Sequence, residues 1–312
     1  MTSFIQNTNF FAGNNPEEIA SEYGTPVYVY NEKILRDRMS KVAKVITKYP
    51  YTANYSVKAN TNIHILKLAL EEGLNCDAMS VGEITLLMKA GFPVERIFFV
   101  PNNVAPCELA FALENGVMTS LDSLSQLELF GEVCNQMEIA PENRKCAVRI
   151  NPGVGAGHHE KVVTGGKKTK FGIAEYSIPQ IFEIAEKYQI TIAGINQHIG
   201  SLFMDPQPYL DAVTNLLRIA HQFKNLEFID FGGGYGIPYH KLDDEKDFPM
   251  EDFKSRLEPI LDEFVASYGK APLFKSEPGR YCVAEGSVIL GRVHATKENS
   301  GIQFAGSDIG MN

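Results

Sequence analysis

The chain has 312 residues, 44% hydrophobic and 21% charged, which is enough apolar material for one large barrel or two ordinary domains. Its formal charge is −9 and no basic stretch exceeds Lys167-Lys168-Thr169-Lys170, so nucleic acid and anionic membranes are excluded as expected partners. No apolar run is long enough to span a bilayer, the N-terminus lacks the pattern of a secretory signal, and five scattered cysteines (Cys76, Cys107, Cys134, Cys146, Cys282) read as reduced thiols of a cytoplasmic protein.

Residues 1–24 are polar and rich in turn formers, and no regular element is predicted there. Pro26-Val-Tyr-Val-Tyr30 reads as a strand, and Asn31 as the N-cap of a helix predicted over Glu32 to Lys48. From Pro50 the pattern repeats as apolar strand, polar or glycine turn, amphipathic helix. Strands are predicted at 51–57, 74–78, 97–100, 118–121, 146–150, 192–197, 227–231 and 273–276. After the first of these, Ile65, Leu66, Ala69 and Leu70 space a helix over 61–72. Ser80-Val-Gly-Glu83 and Ser123-Leu-Ser-Gln126 fit the capping box, and Ser177 precedes Pro179 in a first helical turn.

Eight strands alternating with helices fit a (β/α)8 TIM-like barrel, an α/β fold; an open doubly wound sheet is the alternative. After Glu277 the alternation stops. Cys282-Val-Ala, Ser287-Val-Ile-Leu, Arg292-Val-His-Ala and Gln303-Phe-Ala read as short strands of a β-rich second domain, joined by the N-terminal strand. The expected organisation is 1–30 as a segment contributing to the β domain, 31–277 as the barrel, and 278–312 as the start of an incomplete β domain.

Barrel enzymes carry their chemistry at the C-terminal ends of the strands. Lys58, in Asn54-Tyr-Ser-Val-Lys58-Ala-Asn60, stands where the first strand stops; burial there favours a neutral, nucleophilic amine, whereas the plain alternative is a surface lysine. The other strands end at Asp77, Arg149, His198-Ile-Gly-Ser201, Gly232-Gly-Gly-Tyr-Gly236 and Glu277-Pro-Gly-Arg280. Gly232, Gly233 and Gly234 let backbone N–H groups approach an anion, as in phosphate nests, although a tight turn also explains them. Their spacing is not that of a dinucleotide fingerprint. A lysine, a phosphate nest, a flat imidazole and a carboxylate on one rim are the parts needed to hold pyridoxal phosphate.

As a set, Tyr55-Ser-Val-Lys58-Ala-Asn60, Cys76-Asp77-Ala-Met-Ser80-Val-Gly-Glu83, Arg149-Ile-Asn-Pro-Gly153, Thr164-Gly-Gly with Lys170-Phe-Gly-Ile173, His198-Ile-Gly-Ser201, Gly232-Gly-Gly-Tyr-Gly236, Glu277-Pro-Gly-Arg280 and Asp308-Ile-Gly-Met-Asn312 resemble the barrel-type (fold-type III) pyridoxal-phosphate decarboxylases. Within them the pattern looks most like the diaminopimelate decarboxylases, from about Pro26 to the last residue. The resemblance implies Lys58 as the Schiff-base lysine, His198 stacked on the pyridine ring and Glu277 at its nitrogen. It implies Ser201, Gly232, Gly233, Gly234, Gly279 and Arg280 around the phosphate, and Asp77, Glu83 and Arg149 as a polar layer close by. Arg280 also resembles a residue that meets a substrate carboxylate.

The implied reaction is decarboxylation of meso-2,6-diaminopimelate to L-lysine and carbon dioxide, the last step of lysine biosynthesis, by a cytoplasmic homodimer with shared active sites. A carboxylate at the ring nitrogen favours decarboxylation over the racemisation of related barrels that place an arginine there. Other readings are a decarboxylase of ornithine, arginine or carboxynorspermidine, or a non-catalytic regulatory relative. Gly153 to Lys170 reads as a mobile lid or a solvated loop, and His158-His159 does not read as a metal pair. The family continues past Asp308-x-Gly-Met-Asn312 into residues that meet substrate and the neighbouring subunit, so the 312-residue chain is expected to have little or no decarboxylase activity.

Overall fold

The computed structural model describes residues 5–6, 8–151, 153, 169–239 and 246–310. Among them eight parallel strands close into a barrel: β2 (Tyr51–Ser56), β3 (Asn75–Ala78), β4 (Ile97–Phe99), β5 (Met118–Leu121), β6 (Lys145–Asn151), β8 (Thr191–Asn196), β9 (Phe228–Asp230) and β10 (Leu273–Ser276). Closure is made by β10, which pairs with β9 on one side and β2 on the other, Ser276 opposite Ala53. A short strand, β7 (Ile173–Ala174), pairs parallel with the end of β6, Ile150 opposite Ile173.

Side chains alternate across each strand. Tyr55, Cys76, Phe99, Leu121, Val148, Ile195, Ile229 and Phe274 belong to the main apolar core, which also includes residues of the surrounding helices. The helix Met250–Tyr268 contributes Phe253, Leu257, Leu261 and Phe264 to that core, and burying each large apolar side chain contributes roughly 1.5–3 kcal/mol. Of the opposite, inward-facing set, Phe98, Val100, Ala147, Ala193 and Phe228 form a small second cluster. Further along the strands the inward residues turn polar: Asn54, Ser120, Asn196, Asp230 and Lys275 are buried there.

The capping signals act largely as the sequence predicts. Asn31 Oδ1 accepts from Ile34 N at 3.0 Å, and Ser80 Oγ from Glu83 N at 3.2 Å. Ser123 caps through Gln126 N, but the Gln126 side chain bonds the backbone of Val104 instead of returning to its own cap.

Four expectations need correction. Residues 16–23 form a helix, Pro16–Tyr23, started by Asn15 Oδ1 accepting from Glu17 N; it buries no residue, so it leaves no apolar period to read. The helix after Asn31 ends at Val42, short of Lys48, and the chain beyond turns to bury Val45 and Ile46. The first barrel strand ends at Ser56, and Val57–Ala59 make one 3-10 turn. Cys282-Val-Ala is helical: Arg280–Val283 is a helix running into a 3-10 turn, Ala284–Gly286.

The remainder is β-rich. The N-terminal strand β1 (Val27–Tyr30) pairs antiparallel with β11 (Ser287–Leu290), Tyr30 opposite Ser287. The strands β12 (Val293–Asn299) and β13 (Ile302–Ser307) form a separate antiparallel hairpin.

Candidate active site

A cavity of about 470 Å³ opens at the C-terminal ends of the barrel strands, where Lys58, His198, Ser201, Gly234, Glu277, Gly279 and Arg280 all line it. Seven of the residues singled out in the sequence thus meet in one place. Asp77, Arg149, Gly232 and Gly233 do not line the cavity. Asp77 and Arg149 stand close enough to act electrostatically on Glu277.

Lys58 follows β2 in the 3-10 turn, so its side chain leaves the strand end toward the cavity. Its Nζ lies 3.6 Å from Asp77 Oδ2 and 3.3 Å from Met79 Sδ. The expected burial is not found: the side chain is 45% exposed. Asp77 is itself buried and accepts from Ser56 Oγ at 2.5 Å through its other oxygen. Glu83 both starts its helix and accepts from Met79 N at 2.6 Å, tying the loop that faces Lys58. Burial raises the Glu83 carboxyl above its ordinary range.

The glycine turn after β9 works as a fastening. Gly232 N donates to Asp230 Oδ1 at 2.9 Å, and Gly232 O accepts from Tyr209 OH at 2.9 Å and from Glu277 N at 2.8 Å. Gly233 N donates to His198 Nδ1 at 3.2 Å. The N–H groups of Gly232 and Gly233 are therefore engaged within the chain, and Gly234 is the member of the triplet that faces the cavity. Close approach explains the residue type. A Cβ at Gly233 would lie 1.8 Å from Glu277 O, and one at Gly234, where φ is +119°, would lie 2.2 Å from the Phe203 ring.

The electrostatics divide sharply. Burial, then the charges of Lys58 and Arg149, hold the His198 imidazole well below its usual range, so it is neutral and Nδ1 accepts. Burial, then the charges of Asp230 and Asp77, push the Glu277 carboxyl well above its usual range, while Lys58 and Arg149 pull the other way. Glu277 is 3% exposed, and its Oε1 has no hydrogen-bond partner among the described residues. Arg149 is buried with its guanidinium 4.7 Å from the Phe171 ring; desolvation lowers its proton affinity, opposed by Glu277, Asp122 and Asp77. Arg280 bonds Tyr239 OH through Nη1, and its Nε is buried without a partner among the described residues.

Two contributors escaped the sequence reading. Tyr239 lines the cavity beside Arg280, three residues beyond the glycine-rich turn. Asp230 supports that turn from inside the barrel, bonded also to Asn54 Nδ2 at 3.1 Å; burial pushes its carboxyl up to about 7. The Phe228-Ile-Asp-Phe231 pattern held the signal, because an acid in an otherwise apolar strand needs a buried partner. The proposed lid lies almost wholly outside the described residues, as do His158 and His159. Among the described residues no group of three or more His, Cys, Asp or Glu is placed to hold a metal ion, and no helix is long and apolar enough to cross a membrane.

The cavity fits pyridoxal phosphate on these observations. It offers a lysine amine at one wall, a glycine-lined margin at Gly234 and Gly279, and an orphaned buried carboxyl oxygen at Glu277.

Residues 32–284 match the family model described as pyridoxal-dependent decarboxylase, pyridoxal binding domain. The chain is 40% identical over 308 residues to the diaminopimelate decarboxylase of Methanothermobacter thermautotrophicus, covering 96% of this chain and 70% of that protein. It is 31% identical over 309 residues to the diaminopimelate decarboxylase of Aquifex aeolicus, covering 97% and 70%. Among solved structures, the Methanocaldococcus jannaschii diaminopimelate decarboxylase in complex with L-lysine aligns with a TM-score of 0.87 at 27% identity, over 96% of this chain and 71% of that one. With its cavity at the strand ends and these matches along most of its length, the chain belongs to the pyridoxal-dependent decarboxylases.

Proposed function

We propose that the protein decarboxylates meso-2,6-diaminopimelate to L-lysine and carbon dioxide with pyridoxal 5′-phosphate as cofactor. The observation that carries this reading is the meeting of Lys58, His198 and the orphaned Glu277 carboxyl in one cavity. The substrate follows from the relatives, which are diaminopimelate decarboxylases over nearly the whole chain.

Bound pyridoxal phosphate supplies the electron sink for the pair of electrons left when carbon dioxide departs. Lys58 Nζ is the amine that would hold the cofactor's aldehyde carbon, with Asp77 Oδ2 3.6 Å away. His198, neutral and fixed through Nδ1, offers a flat ring for stacking that adds no charge. Glu277 would meet the pyridine nitrogen, and its buried carboxyl, which holds a proton more tightly than usual, would share that proton with the nitrogen. Ser201, Gly234 and Gly279 take the phosphate, with Arg280 available to it or to a substrate carboxylate. Gly232 and Gly233 act behind them, holding Glu277 and His198 in register. Arg149 offsets the negative charge that Asp230 and Asp77 gather around Glu277.

Cytoplasmic location and a head-to-tail homodimer belong to the same proposal. The test, on a chain of the full length of its diaminopimelate decarboxylase relatives, of which 70% is matched here, is a panel of meso-diaminopimelate, ornithine, arginine and carboxynorspermidine, with carbon dioxide and amine products measured. L-lysine from diaminopimelate, lost in Lys58→Ala, is expected; preferential turnover of another member overturns the substrate assignment.

A further inference from the structure

The N-terminal end of the barrel carries a second cavity of about 960 Å³, twice the size of the one at Lys58. It forms where strands begin, with Met118 of β5, Lys145 of β6, Phe228 of β9 and Leu273 of β10 in its wall. Lys275 lines it from inside the barrel and is 9% exposed. Its Nζ lies 3.8 Å from the centroid of the Phe228 ring and 4.8 Å from that of Phe98. Among the described residues it makes no hydrogen bond and no ion pair.

Ring faces attract an ammonium group but provide no lone pair for its three N–H donors. Asp230, Glu277 and Glu227 support the charge from a distance, against the burial that opposes it. Lys275 therefore has no acceptor among the described residues, and the cavity is the side from which one can come. A bare anion is a poor candidate, because Glu95, Glu138, Glu142 and Glu227 also line the cavity. Glu227 is occupied by Lys145 at 2.8 Å, whereas the other three make no ion pair among the described residues. Between these charges the wall is apolar, with Leu113, Val117 and Ile139.

We propose that this cavity is a second ligand site, distinct from the one at Lys58, for a small amino acid bearing an ammonium group at the end remote from its carboxylate. The carboxylate meets Lys275 Nζ, the remote ammonium group meets Glu95, Glu138 or Glu142, and the methylene chain lies against Leu113, Val117 and Ile139. The inference rests on this end of the barrel alone and holds whatever the upper site acts on. Its rival is that Lys275 serves only as an internal counter-charge to Asp230.

The test is calorimetric titration of the cofactor-loaded protein with L-lysine, cadaverine and acetate as probes. L-lysine, with both charges, is expected to bind more tightly than cadaverine, which lacks the carboxylate, or acetate, which lacks the ammonium. That binding persists in Lys58→Ala and weakens by roughly tenfold or more in Lys275→Met, the effect of one charge-assisted contact. Absence of L-lysine binding in Lys58→Ala, or equal affinity in Lys58→Ala with and without Lys275→Met, overturns the proposal. Should Lys275→Met fail to fold, Glu95→Gln, Glu138→Gln and Glu142→Gln combined decide: weaker L-lysine binding with acetate unaffected supports the site, and unchanged L-lysine binding overturns it.

Discussion

The backbone N–H of Gly233 donates to His198 Nδ1 at 3.2 Å, which fixes the imidazole as the neutral tautomer with its proton on Nε2. Protonating Nδ1 would set two donors against each other in a buried place. His198 should therefore show no titration near 6.5 when its ring nitrogens are followed by NMR across pH 5 to 8. Because its folded-state pKa is depressed, its contribution to stability is present above 6.5 and is lost as pH falls through the lower folded value. Titration at the ordinary value would contradict the hydrogen bond.

Asp230 has the opposite sign. Its carboxyl is raised from 3.8 to about 7 by burial, so the folded chain holds its proton more tightly than the unfolded one does. The stability this provides is full below pH 3.8 and is lost as pH rises through about 7. Denaturant unfolding between pH 4 and 8 should show this downward component, and Asp230→Asn should flatten it.

Glycine is required after β9 by contact as well as by conformation. Gly233→Ala puts a methyl group 1.8 Å from Glu277 O, where only backbone movement relieves the clash. The expected loss is about 2–4 kcal/mol in urea unfolding, with weakened cofactor binding because Glu277 and His198 lose their common anchor. Gly269→Ala serves as the comparison: φ is +84° but nothing lies within 4 Å, so about 1 kcal/mol is expected.

Arg38 and Glu285 form a buried ion pair that joins the helix Glu32–Val42 to the turn after Arg280, with Arg38 also 4.8 Å from the Tyr281 ring. Their side chains are 11% and 3% exposed. In Glu285→Ala, Arg38 keeps its bonds to Asp247 at 3.1 Å, so the expected cost is that of one charge-assisted contact, about 1.5–3 kcal/mol. A loss below about 1 kcal/mol would mean that the pair is solvated.

The barrel was legible because its outward-facing strand residues are apolar and because capping residues such as Asn31 and Ser80 stand where helices begin. Lys58, His198 and Glu277 were legible as polar residues just past apolar strands. Asp230 and Lys275 were not, since a charge within a strand of three or four residues reads as an interruption until closure shows both facing the interior. Cys282-Val-Ala read as a strand by residue type, yet Cys282 N bonds Gly279 O at 3.0 Å and the chain coils. The bonds of Gly232 and Gly233 to Tyr209, His198 and Glu277 reach residues some 23 to 45 positions away, beyond the reach of local pattern.

The central claim is that Lys58 is the lysine that binds pyridoxal phosphate. Borohydride reduction of the cofactor-saturated protein, followed by peptide mass mapping, tests it most directly. The account predicts the reduced cofactor's mass on the peptide carrying Lys58 and its loss in Lys58→Ala; a saturated, folded sample in which Lys58 stays unmodified, or in which the label sits on another lysine, contradicts it.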